Sequence, residues 1–306
     1  MPNQPTTQVQ KLVMLGLGEA GKSSIKSIVF DGKKTHDVSD YKATSNYIRT
    51  SNSFIGSTFS IFDCGGQEVF LTRYVGKLSE FIFSSVKVLV WVIDVGNFEG
   101  VSKSKYYFDL AMERLHQYSP EATVYCLFHK IDLLTPDKKT EVVETLKNFF
   151  TPFKSFETKY HATNIFDHSI FTAFSDIMGN FIRGSVTTRS IKETLTRFMQ
   201  ENAEILSGIS LFTDKGFLVS GEGDMVEEQT APANLWLTNA DKMQKALGAN
   251  SLVKGVFETE DSLFIFQKIK DGFLCAVKAD KSAPIQYVLM KIDEMVDLVK
   301  DVLISA

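Results

Sequence analysis

From Lys11 to about Arg183 the chain alternates short, continuously apolar runs with stretches in which apolar residues recur every three or four positions. The runs are KLVML (11–15), KVLVWVID (87–94), TVYCLFH (123–129) and the more mixed SFETKYHAT (155–163), with YIRTSNSFIGSTFSIFD (47–63) reading as a hairpin. Helical stretches begin near Lys22, Leu71, Ser104, Pro136 and Asp167. A strand that is apolar on both faces is covered on both, and strands separated by helices pair in parallel. The pattern predicts an α/β fold with a mostly parallel six-stranded sheet, the hairpin adding one antiparallel edge strand.

Around Arg183-Gly-Ser-Val-Thr-Thr188 the texture changes. A helix carrying Ile191, Leu195, Phe198 and Met199 comes next, then two strands within 205–223 about the turn Asp214-Lys-Gly216. A helix near 239–247 precedes strands at 251–259, 263–270 and 272–279, and a last helix sets Val288, Ile292, Met295, Val296, Val299 and Leu303 on one face. This order predicts a second α/β domain with an antiparallel sheet. At 306 residues the chain exceeds what one core usually holds. The expected division is a flexible start over 1–10, a first domain over 11–184 and a second over 188–306.

Composition narrows the function classes. A net charge of −4 gives no electrostatic case for nucleic-acid binding. Cys64, Cys126 and Cys275 are odd in number and far apart, which argues against a disulfide framework or a cysteine zinc site and suits a reducing compartment. No run approaches the ~20 apolar residues of a membrane span. The opening MPNQPTTQVQ has neither a signal-peptide order nor a glycine at position 2, and the final ISA offers no prenylatable cysteine. A cytoplasmic protein is expected, reaching membranes only through partners, with no long tail after the last helix.

The first chemistry-bearing motif is Gly16-Leu-Gly-Glu-Ala-Gly-Lys-Ser23, a full GxxxxGK[ST] pattern between a predicted strand and a predicted helix. Glycine lets the backbone turn and approach phosphates closely, so Gly16, Gly18, Glu19, Ala20, Gly21 and Ser24 are candidate phosphate contacts. Lys22 is placed to bridge the β- and γ-phosphates, and Ser23 to ligate Mg²⁺ at the positive end of the helix. The competing reading is a glycine-rich turn that binds nothing; the flanking strand and helix count against it. This motif selects a nucleoside triphosphate without choosing the base.

Strand TFSIF ends in Asp63-Cys-Gly-Gly-Gln67. Asp63 is placed to hold Mg²⁺ through a water, Gly66 to offer a backbone N–H near a γ-phosphate, and Gln67 to orient the attacking water. Thr44 lies 21 residues beyond Ser23, where a hydroxyl can complete the Mg²⁺ shell; an ordinary loop threonine is the alternative. Cys64 reads as a packing residue.

HKID (129–132) follows the fourth apolar run. The Asp132 carboxylate can accept from guanine N1–H and the 2-amino group, a donor pair that adenine lacks. The stem of Lys130 can lie across the base. Position 129 ordinarily holds an asparagine that ties this loop to the phosphate loop; His129 is bulkier but can donate one hydrogen bond. A second guanine loop is placed at Ala162-Thr163-Asn164-Ile165, where a backbone N–H would meet O6.

GxxxxGKS, DCGGQ and HKID together resemble the Rag family of Ras-related GTPases, in which histidine replaces the usual asparagine. KSSIKSIVF (22–30), SPEATVYCLFHKIDLL (119–134) and ATNIFDHSIFTAFSDIM (162–178) extend the resemblance across 11–183. DCGGQ places the chain nearer the RagA and RagB side, and the spacing to Thr44 suits that family's first switch. Asn164 departs from the serine usual in the family's guanine loop, so its side-chain role is open while the backbone contact is not. Over 188–306 the element order looks like the roadblock/longin-type domain that follows a Rag G domain. The resemblance implies a GTP/GDP- and Mg²⁺-dependent P-loop GTPase that dimerises with a second Rag-like subunit or with itself. It also implies roadblock-type scaffold proteins and GTPase-activating and exchange factors as partners. Two rivals stand beside the switch: a non-catalytic interaction scaffold, disfavoured by intact Lys22, Ser23, Asp63 and Gln67, and an ATP-using P-loop enzyme, disfavoured by Asp132.

Overall fold

The computed structural model describes residues 10–38, 43–55, 57–152, 156–167, 169–182, 186–223, 226–269 and 272–304. Two compact units emerge from the packing, Met1–Ala173 and Phe174–Ala306. That division falls inside a helix, Ser169–Ile182. Most of the flexible start expected over 1–10, and residues 184 and 185 of the expected boundary, lie outside the described residues.

The first unit is built on strands β1 (Gln10–Leu15), β2 (Tyr47–Phe54), β3 (Ser57–Cys64), β4 (Val86–Asp94), β5 (Thr123–His129) and β6 (Thr158–Thr163). They form one six-stranded sheet in the order β2-β3-β1-β4-β5-β6. β2 and β3 pair antiparallel, and the other neighbours run parallel, as the apolar runs predict. The residues from Val88 to Val92 in β4 and from Val124 to Phe128 in β5 are fully buried, as expected for central strands with helices on both faces. Helices α1 (Lys22–Val29), α2 (Glu68–Val75), α3 (Ser79–Phe83), α4 (Phe98–Tyr118), α5 (Pro136–Phe149) and α6 (Ser169–Ile182) connect and follow the strands. Because β1, β3, β4, β5 and β6 share one direction, their C-terminal ends lie on one edge, which is where ligands bind in open α/β sheets.

Two helices start earlier than their apolar spacing suggests. α4 begins at Phe98 because the Asn97 side chain accepts the Gly100 N–H at 3.0 Å, capping a turn with little apolar content. α2 begins at Glu68, directly after Gln67.

The second unit contains α7 (Val186–Glu201), β7 (Leu206–Thr213), β8 (Leu218–Gly223), α8 (Val226–Ala246), β9 (Lys254–Glu258), β10 (Ser262–Ile269), β11 (Phe273–Asp280) and α9 (Ile285–Ile304). Its five-stranded sheet is antiparallel throughout, in the order β8-β7-β11-β10-β9. Successive strand residues face opposite ways. Trp236 of α8 stacks on Phe266, while the adjacent Gln267 donates to Asp293 of α9 at 2.8 Å, so α8 and α9 cover opposite faces. α8 is 21 residues long, far beyond the expected 239–247, and carries Pro232 within it. Proline removes one helical donor and reads as a break in sequence. Trp236 and Ala233, buried against Phe212, Phe266, Leu274 and Ala276, hold the helix beyond that point.

Candidate nucleotide site

β1 delivers the chain to Gly16, whose φ of 142° and closeness to the Val92 carbonyl leave no room for a side chain. The loop then turns through Glu19 at φ 63° and Gly21 at φ 94°, and Gly21 caps α1. Ala20 is buried, Ser24 is half-buried and Glu19 is exposed. The buried Lys22 ammonium donates to the carbonyls of Gly16 at 2.9 Å and Leu17 at 2.7 Å, spanning the loop that its own helix follows. Burial lowers its pKa to about 8, against the opposing pull of Asp63.

β3 brings Asp63 to the same place. Ser23 Oγ and Thr44 Oγ1 are 2.7 Å apart, so the hydroxyl of the phosphate-loop motif and the one its spacing and the family resemblance single out meet in the fold. Asp63 is 1% exposed; burial raises its pKa, opposed by the Ser23 hydroxyl and the charges of Lys22 and Lys26. Its Oδ1 is buried and has no hydrogen-bond partner among the described residues. An unsatisfied buried acceptor costs about 1–3 kcal/mol. Two hydroxyls beside a carboxylate with a spare oxygen are hard donors, the chemistry that Mg²⁺ takes. These residues therefore fit the ion that the motif implies.

Gly65 and Gly66 lie against this cluster. Gly65 N–H donates to the Asn46 carbonyl at 2.6 Å, and the Gly66 carbonyl accepts from Gly18 N–H at 2.8 Å. A side chain at Gly66 would collide with the Leu17–Gly18 peptide, its first carbon falling 2.3 Å from Leu17 C. Gly66 thus presents its carbonyl to the phosphate loop and occupies a donor expected to face phosphate. Gln67 follows as the exposed N-cap of α2.

The base side is set by β4, β5 and β6. His129 ends β5 and is 2% exposed. Its Nδ1 lies 3.0 Å from Thr163 Oγ1, and its Nε2 edge faces Gly21, 3.0 Å from where a Cβ would stand. The imidazole therefore faces the phosphate loop, touching all three nucleotide loops at once. Burial, then the Lys130 charge, lower its pKa to about 4, so the ring is neutral near pH 7. Lys130 adopts φ 60° and starts a one-turn 3-10 helix, Ile131–Leu133, which leaves Asp132 exposed. The Lys130 ammonium donates to Asp94 Oδ2 at 2.7 Å. Asp94, at the end of β4, was not among the candidates from sequence. Its only sequence signal is an acidic residue closing an apolar strand beside the base loop.

At the second loop, Thr163 is buried at the end of β6 and Asn164 is 5% exposed. The backbone N–H of Asn164 donates to Ser169 Oγ at 3.0 Å, so it is not the donor available to a base. Ile165 is half-buried, and its N–H has no partner among the described residues. The structure thus gathers Gly16–Ser24, Thr44, Asp63, Gly66, His129 and Thr163 through direct contacts, with Gln67, Lys130, Asp132 and Ile165 on the adjoining loops.

Residues 11–233 match a family model described as the Gtr1/RagA G protein conserved region. The chain is 31% identical over 247 residues to GTP-binding protein GTR1 of Saccharomyces cerevisiae, covering 77% of each chain. It is 30% identical over 295 residues to GTP-binding protein gtr1 of Schizosaccharomyces pombe, covering 92% of each. Ras-related GTP-binding protein B of Rattus norvegicus is 27% identical over 331 aligned positions, covering 95% of this chain and 85% of the relative.

Proposed function

The chain belongs to the Gtr1/RagA family of G proteins, and from that premise we propose that this GTPase is a Mg²⁺-dependent switch with a dimerising C-terminal domain. The observation that carries the metal reading is the meeting of Ser23, Thr44 and the unpartnered Asp63 oxygen. Ser23 and Thr44 would hold the ion directly and Asp63 through a water. When bound, the ion would neutralise charge on the β- and γ-phosphate oxygens. Lys22 exchanges its carbonyl partners for those oxygens, and the loop N–H groups and the start of α1 add donors. Gln67, whose side chain makes no capping hydrogen bond to α2, orients the water in line with the γ-phosphate. Asp132, Lys130 and the loop at Thr163–Ile165 select guanine.

The arginines described in the first unit are committed elsewhere. Arg49 donates to Ser60, Arg114 donates to the Val75 carbonyl, and Arg73 lies over Phe70. Slow intrinsic turnover follows, with an activating protein supplying the missing charge for a gain of ~10³–10⁵-fold. The metal reading is tested by following release of fluorescent GDP from the full chain. Chelation of Mg²⁺ should speed release several-fold, and Asp63→Ala should release quickly with or without the ion. A parent chain that releases GDP at one rate in both conditions would sink the assignment.

Residues 11–184 serve in this reading as the G domain and 188–306 as the roadblock-like dimerisation domain. Support comes from β9, an edge strand whose Val256 and Phe257 are exposed, as is Val253 just before it. Val256 and Phe257 stand exposed between Lys254 and Glu258 at the ends of the strand, and a sheet edge of this kind can pair with another strand. The partner is a second Rag-like subunit or a second copy, with membranes and roadblock-type scaffolds reached through the assembly. Light scattering should show a dimer that Val256→Asp converts to monomer while GDP binding persists; a strict monomer, alone and with a Rag-like partner, refutes it.

A further inference from the structure

The second guanine loop is held by a side-chain network centred on Asn164. The Asn164 carbonyl oxygen accepts from two backbone donors, Phe166 N–H at 2.7 Å and Asp167 N–H at 2.9 Å. Its amide nitrogen donates to the Asp167 carboxylate. Asp167 in turn accepts from Ser169 N–H at 2.8 Å, and Ser169 Oγ takes the Asn164 N–H at 3.0 Å. Of the four consecutive backbone donors from 164 to 167, three are consumed inside the loop. The fourth, Ile165 N–H, has no partner among the described residues.

We propose that Asn164 is a positioning residue for base recognition, one that ties up its neighbours and leaves Ile165 N–H as the single donor presented to guanine O6. The proposal rests on the reading that this pocket binds guanine nucleotides. An asparagine side chain reproduces the shape of a backbone turn and can accept from N–H groups two and three residues ahead. A serine oxygen sits closer to the backbone and has no amide to reach Asp167. Burial of Asn164 excludes competing water, so the network holds the donor in place before the base arrives and less ordering is required on binding. Adenine presents an amino group where guanine presents O6, so a fixed N–H also opposes adenine, independently of Asp132 on the other side of the base edge.

The test compares the full chain's affinity for GDP and 6-thio-GDP. The sulfur analogue keeps N1–H and the 2-amino group read by Asp132 but offers a weaker acceptor at position 6. The parent should prefer GDP by about tenfold, the value of one hydrogen bond. Asn164→Ala should bring that preference to about twofold or less, and Asn164→Ser should fall between the two. Asn164→Ser also carries the test if the alanine variant does not fold. Equal weakening of both ligands with the ratio retained would mean that Asn164 only stabilises the loop, and would overturn the proposal. A parent chain that binds ADP as well as GDP would overturn the guanine reading itself, and this proposal with it.

Discussion

The two ends of the nucleotide pocket are stabilised in opposite ways. On the phosphate side the groups that would hold ligand hold one another: Ser23 with Thr44, Lys22 with two loop carbonyls, Gly18 with Gly66. On the proposed reading those bonds are exchanged when phosphate and cation arrive. On the base side the bonds lie behind the reading atoms: Asp94 holds Lys130, Thr163 meets His129, and Asp167 with Ser169 holds Asn164. Asp132 is exposed and the Ile165 N–H has no partner among the described residues, so on the proposed reading nothing need break when guanine enters. A switch has to rearrange around the γ-phosphate while keeping its nucleotide. Exchangeable partners at one end and fixed supports at the other meet both demands.

The sharpest way to break this contrast is Asp132→Asn. If the base side reads through a preset carboxylate, the variant should lose guanine affinity on the order of 10²–10³-fold and gain preference for xanthine nucleotides. Competition binding against GDP and XDP checks this; unchanged GDP affinity would remove Asp132 from the reading. The next test concerns His129. Its folded pKa of about 4 lies below the ordinary 6.5, so at pH 7 the ring is neutral in both folded and unfolded chains. Below 6.5 the unfolded chain gains a proton that the folded one refuses, and stability falls with decreasing pH down to about 4. The loss should reach roughly 3 kcal/mol at the bottom of that window. His129→Asn should flatten this part of the stability–pH curve in denaturant titrations of the nucleotide-free chain. A curve of unchanged slope would mean that the imidazole is not the buried neutral hub that joins the three loops.

Most of the first unit's fold is legible in sequence because its strands are unbroken apolar runs. The hairpin at 47–64 and the parallel order follow from those runs and from the helices between them. α8 is not legible, since Pro232 removes a helical donor and only burial of Trp236 and Ala233 against the second sheet restores the helix. The site divides similarly. Lys22, Ser23, Asp63 and His129 are fixed by motif spacing, and Thr44 is found by its distance from Ser23. Asp94 is easily passed over, because its partner, Lys130, is 36 positions away in sequence and the acidic end of its strand is the one signal it gives. The Asn164 network is also hidden, because only the folded loop brings Asp167 and Ser169 into contact with it.

The Gly66 carbonyl on Gly18 N–H makes the protein its own rival for the phosphate loop. A competitor on a short tether acts at an effective concentration on the order of millimolar. On the proposed reading an incoming phosphate oxygen would compete with it for the same donor, and a departing one would be replaced by a group that stays tethered. Only glycine can sit this close to the Leu17–Gly18 peptide, so the residue permits both the approach and the retreat. In that reading the loop that would sense the nucleotide also stands ready to fill the space it leaves.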